Sequence, residues 1–191
     1  MTRFRLFIVL LFMSTVCFPQ HIEREHRIRK SQFPSLQKDI MHIGQETKQV
    51  SYYKEVDSLG TTYLIKFKRD RMRYFLSYDT SGKLINSGFR IKEIDIPEDT
   101  FEKIKTYLMG SYRKSRIRRI YQQYPATNPE NDESALKNTF QNLILPSNVY
   151  RLIIIGKNDQ RNTEYDLWFD ADGNLIRKRQ ALPMNHDRIL Y

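Results

Sequence analysis

The sequence predicts an α+β fold: two tandem units, each a helix followed by four antiparallel strands, with the helices packed on one face of the sheet. Three observations carry this. A hairpin pattern occurs twice, with Tyr165, Leu167 and Phe169 alternating with polar residues ahead of Gly173, and Tyr74, Leu76 and Tyr78 doing the same ahead of Gly82. Each unit opens with an apolar stripe at helical spacing, led by a proline and followed by a glycine, Pro34 to Gly44 and Pro97 to Gly110. Between helix and hairpin lie runs rich in β-branched and aromatic residues.

Residues 1–20 read as a cleaved signal segment. Arg3 and Arg5 form a basic start, and Leu6 to Phe18 is an apolar run too short to span a bilayer comfortably. Cleavage between Val16 and Gln20 would leave the chain periplasmic or secreted, with no integral membrane span. Cys17 is the single cysteine. Lipid anchoring through it is the alternative to removal, although Val16 is a poor fit to the small residue that such processing favours. Once the segment is removed the chain has no thiol, disulfide or cysteine metal ligand, so packing must stabilise it.

Residues 21–32 begin HIEREHRIRK, charged at almost every position, and are expected to be a solvated spacer. The first unit, 33–94, has Pro34 at a helix start, a stripe of Leu36, Ile40 and Ile43, and Gly44 as a stop. A strand with Val50, Tyr52, Tyr53 and Val56 follows, and Ser58-Leu59-Gly60 turns it into a strand where Tyr63, Ile65 and Phe67 alternate with Thr62, Leu64 and Lys66. Arg69-Asp70 leads to Met72–Tyr78, and a turn ending at Gly82 leads to a strand through Phe89 and Ile91. The second unit, 95–182, repeats the order: Phe101, Ile104, Tyr107 and Leu108 on one helix face, Glu98 and Asp99 at its positive end, Gly110 closing it, then strands at Arg116–Tyr124 and Tyr150–Ile155 and the hairpin with Asp172-Gly173 as two positive-φ residues. An insertion, 125–148, breaks the symmetry. Glu133 to Leu145 can form a short helix with Leu136, Phe140, Leu143 and Ile144 on its apolar side, either packed on its own sheet or serving a function particular to this chain. Residues 183–191 form a tail.

These segments resemble a known family. IPEDTFEKIKTYL, SRIRRIYQQYP, VYRLIIIG and YDLWFDADGNLI, in that order, resemble the PepSY-like, β-lactamase-inhibitor-protein-like exported proteins of Bacteroidetes, over roughly Phe33 to Gln180. The resemblance implies a curved sheet flanked by helices, an open face that grips another macromolecule, and no catalysis.

The residues point the same way. Asp170-Ala171-Asp172-Gly173-Asn174 begins like a calcium loop, but Leu175 and Ala181 stand where glycine and the bidentate glutamate are needed, so a hairpin turn is the reading and no metal is expected. His21, His26, His42 and His186 lack ligand spacing and read as solvated. With no nucleophile elbow, P-loop or dinucleotide loop, neither an enzyme nor a cofactor is expected.

What remains is charge. The net charge of +10 becomes +8 without residues 1–20 and draws anionic partners. Strand alternation puts Lys66, Lys68, Arg71, Arg73, Arg116, Arg118, Arg177 and Arg179 opposite the apolar residues, on the uncovered sheet face, with Trp168 among them. Trp168 is either an interface anchor or a cover for neighbouring arginine stems. The expected function is an exported, non-catalytic, inhibitor-like binding module that recognises a protein or envelope component through that face. The alternative is electrostatic attachment to an anionic envelope polymer such as lipopolysaccharide or an acidic glycan. Nucleic acid is not expected, since stacking aromatics reduce to Tyr121 and Tyr124.

Overall fold

The computed structural model describes residues 24–35, 47–126, 132–158 and 161–181. The expected signal segment, the tail, almost all of the helix expected at 34–44, and His21, His42 and His186 lie outside these residues. The described elements are β1 (Arg24–Ile28), β2 (Lys48–Asp57), β3 (Gly60–Arg69), β4 (Met72–Tyr78), β5 (Leu84–Ile91), α1 (Glu98–Ser111), β6 (Lys114–Pro125), α2 (Asp132–Gln141), β7 (Val149–Asn158), β8 (Arg161–Phe169) and β9 (Leu175–Gln180). The nine strands form one antiparallel sheet in chain order, which with the two helices makes an α+β fold.

Short polar turns set the register. Asp70 and Arg71 both take positive φ, 47° and 67°, the twist that a two-residue hairpin requires. At the β4–β5 turn the Asp79 carboxylate accepts from the backbone N–H groups of Ser81 and Lys83, with Gly82 at φ 78°. At the β8–β9 turn Asp170 accepts from Asp172 and Asn174, with Gly173 at φ 85°. The matched glycines thus occupy equivalent turns, but Asp172 is not a positive-φ residue as expected. A register shift after Trp168 supplies the extra residue instead.

Four further expectations are corrected. Arg24–Ile28 is no spacer, because it pairs with β2 from Arg24↔Val56 to Ile28↔Tyr52, and His26 is half-buried within it rather than solvated. Gly110 is not a left-handed cap: it lies inside α1, which closes when the Tyr112 N–H donates to the Leu108 carbonyl. The insertion helix ends at Gln141, where Asn142 takes φ 54°, so Leu143 and Ile144 lie beyond it and are exposed. The sheet runs on across residue 94, since β5 and β6 pair from Asn86↔Pro125 to Ile91↔Ile120.

One face of the sheet carries the main core. Ile65, Tyr74, Leu76, Phe89, Ile120, Leu152, Leu167 and Phe169 meet Ile104 and Leu108 of α1 and Ala135 of α2 in a single cluster, so both helices cover the same face. The insertion packs on its own sheet, where the Ser87 and Thr139 hydroxyls are 2.6 Å apart and the Phe140 ring lies 5.5 Å from Tyr74. At the other end Gly173 lets the β8–β9 turn seat against α1, for a Cβ there would stand 2.6 Å from the Thr100 carbonyl.

The sheet is curved, and its helix-free face is the inside of the curl. Asp57 and Glu55 of β2 project from that face, as do Arg177 and Arg179 of β9, and these side chains meet. Arg179 lies 2.6 Å from Asp57 and 2.5 Å from Glu55, and Arg177 lies 3.3 Å from Asp57.

Candidate functional site

Alternation gives the helix-free face a small apolar floor of its own. Tyr53, Leu64, Phe75 and Ile153 point away from the main core, yet each is at most 6% exposed. Phe75 meets the Tyr121 ring edge-on at 5.7 Å. Gly88 makes room for this arrangement, because Phe75 pairs with it across the β4–β5 ladder and a Cβ at Gly88 would lie 2.9 Å from the Phe75 ring.

Above this floor opens a cavity of about 130 Å³, walled by side chains from β1 through β7. Its charged wall follows from register. Lys68 pairs with Arg73, Arg90 with Tyr121, Tyr121 with Arg151, Arg151 with Trp168 and Trp168 with Arg177. Arg90 stands beside Arg73, one step beyond the Tyr74↔Phe89 pair. These residues form one row across the strands, cationic except for two aromatics.

The two ends of the row differ. At the β7–β9 end every cation is neutralised. Asp166 receives Arg151 at 2.7 Å and Arg179 at 2.9 Å, and Asp57 receives Arg177 and Arg179. Burial alone would raise the Asp166 carboxyl, but the Arg151 and Arg179 guanidiniums overcome it and hold it below the ordinary carboxylate value. Asp57 is lowered too, where the Leu59 N–H together with Arg179 and Arg177 outweighs burial. Trp168 sits half-buried against this network, with the guanidiniums of Arg177, Arg151 and Arg179 at 4.9, 5.0 and 5.1 Å from its ring.

At the cavity end, Lys66 pairs with the buried Glu25 at 2.7 Å and lies over the Tyr53 ring at 4.3 Å. Lys68, Arg73, Arg90 and Arg119, which also line the cavity, have no ion-pair partner among the described residues. Lys68 and Arg73 face each other directly, an arrangement that repels until an anion arrives.

Of the residues singled out in the sequence, Lys66, Lys68 and Arg73 are brought together at the cavity, while Trp168, Arg177 and Arg179 lie on the same face in the neutralised network. The other three are elsewhere. Arg71 is in the β3–β4 turn, exposed, because positive φ there takes it out of the strand. Arg116 is on the helix-free face opposite Ile155 but does not line the cavity. Arg118 is the extra residue of a bulge between Ile117 and Arg119, so Arg119 takes the inward place that simple alternation gave to Arg118.

Sequence reasoning missed Arg90, Arg119 and Arg151. Arg90 and Arg151 were visible in principle, since they alternate with Phe89 and Ile91 and with Tyr150 and Leu152. Arg119 is found by counting back from Ile120 rather than forward from Ile117.

Among the described residues no helix is long and apolar enough to cross a membrane. No protein-family model and no curated protein sequence matches the chain. Similar solved structures include a BLIP-like protein from Bacteroides fragilis, at 10% identity and TM-score 0.43 over 74% of this chain and 80% of that one. Another is a DUF2874 family protein from Bacteroides ovatus, at 10% identity and TM-score 0.47 over 79% of this chain and 86% of that one. The first is the kind of protein that the sequence resembles.

Proposed function

We propose that the chain is an exported, non-catalytic binding module that recognises a protein or envelope component through the helix-free face of its sheet. One observation carries the reading: on that face a cavity with an apolar floor is rimmed by Lys68, Arg73, Arg90 and Arg119, none of which has an ion-pair partner among the described residues. Uncompensated cations beside buried aromatic surface favour an anionic partner that also offers apolar contact.

The neutralised network at the β7–β9 end gives this face rigidity more than affinity. Trp168 there supports arginine stems, and the partner engages at the cavity. A purely electrostatic attachment to an anionic polymer is the second reading, favoured by the same four cations, and salt separates the two. The purified chain without residues 1–20, used as bait in an envelope extract, is expected to retain a component at physiological salt. Retention that persists as salt rises identifies a packed interface, while a steep loss identifies the polymer. Failure to retain any macromolecule contradicts the reading.

A further inference from the structure

We infer that the cavity is a subsite for a phosphomonoester group borne on an apolar carrier. This deepens the reading of the face as a binding surface and rests on it. Lys68, Arg73, Arg90 and Arg119 converge on one cavity with no ion-pair partner among the described residues, while Glu25, the carboxylate in its wall, is bound by Lys66. A single carboxylate would leave most of that charge unanswered, whereas a phosphomonoester carries close to two negative charges and three acceptor oxygens. Arginine suits this geometry, because its planar fork meets two oxygens at once.

Arg151 lines the cavity, and although its terminal nitrogen is bound by Asp166, its Nε is buried with no acceptor among the described residues. A buried donor without an acceptor is costly, and it leaves the Arg151 guanidinium, in the cavity wall, one hydrogen bond short.

At about 130 Å³, the cavity is well below the roughly 300–1,000 Å³ of pockets that enclose whole small ligands. It admits a head group and leaves the carrier outside, against the half-buried ring of Tyr121 at its wall. That apolar surface beside the cations separates this ligand from free inorganic phosphate.

The test is a titration of the chain with phenyl phosphate, inorganic phosphate and benzoate, read by calorimetry and by the fluorescence of Trp168, the single tryptophan, which adjoins Arg151. Phenyl phosphate is expected to bind saturably and about tenfold or more tighter than the other two. Arg73→Ala and Arg90→Ala should each weaken it by about tenfold or more, with Arg116→Ala near wild type. Thermal unfolding of each variant confirms that the fold is kept. Vesicles with and without phosphatidic acid assign the carrier: retention on the acidic vesicles identifies a lipid headgroup, and phenyl phosphate binding without it identifies a soluble phosphomonoester. Absence of saturable phenyl phosphate binding, benzoate binding equally well, or equal losses in Arg116→Ala would each overturn the inference. A chain that retains envelope material through Arg73 yet ignores every phosphate probe defeats this inference alone and leaves the binding face standing.

Discussion

Arg179 in the last strand donates to Asp57 in the second at 2.6 Å, although their strands stand near opposite ends of the sheet. Only a strongly curled sheet brings them together, and the same guanidinium also reaches Glu55 and Asp166. Arg179→Ala therefore leaves three carboxylates short of a partner in a mostly buried place. The expected loss is about 3–5 kcal/mol, typical of removing one member of a buried charge network, measured by denaturant unfolding. A loss below about 1 kcal/mol, the scale of a surface pair, would contradict this role.

Acid should release the same network. Asp57 and Asp166 are both held below their ordinary value of 3.8. A carboxyl lowered in the folded state stabilises fully above its unfolded value and loses that contribution as pH falls through the folded one. Stability is thus expected to be level from neutral pH down to about 4 and to drop below it. In Asp166→Asn the drop should be shallower, which a pH series of thermal unfolding checks.

Trp168 and Phe169 are neighbours on opposite faces. Phe169 is 0% exposed in the main core, so Phe169→Ala should cost about 3–5 kcal/mol. Trp168 is half-buried beneath three guanidiniums, and Trp168→Ala should cost less, about 1–2 kcal/mol at cation–π strengths. Thermal denaturation of the two variants compares them, and the reverse order would mean that the faces are exchanged.

The fold class was legible because strand alternation is a local signal. Ile65, Phe67, Tyr74 and Leu76 declare the core face, and Lys66, Lys68 and Arg73 the other, without knowledge of any partner strand. The turns were legible as turns, from Asp79 to Gly82 and from Asp170 to Gly173, and of the two positive-φ residues expected in the second, Gly173 is one and Asp172 is not. Arg119 was missed because a bulge is set by the pairing of β6 with β7, which no single strand announces. The pairing of Asp57 with Arg179 was out of reach for a different reason: it depends on accumulated curl over the whole sheet. Seen along the sequence, Trp168 among arginines reads as an anchor or as a cover for their stems, and only that curl brings in the acids that occupy those arginines.

Gly88→Ala probes the floor. A Cβ there would stand 2.3 Å from the Gln122 carbonyl oxygen and 2.9 Å from the Phe75 ring, so both the β5–β6 ladder and the ring must shift, at no less than the roughly 1–3 kcal/mol typical of overpacking, and ligand binding at the cavity should weaken as well. Unchanged stability and unchanged phenyl phosphate affinity would show that neither the ladder nor the ring depends on Gly88.

The central claim is that binding depends on the place of the cations and not on their sum. Arg73→Glu and Arg116→Glu change the net charge equally and lie on the same face, but only Arg73 lines the cavity. Retention of envelope component by the two variants at physiological salt is the deciding measurement. The expected result is near-complete loss for Arg73→Glu and near wild-type retention for Arg116→Glu, whereas equal losses would show that the chain binds through its overall positive charge and that the cavity is not the site.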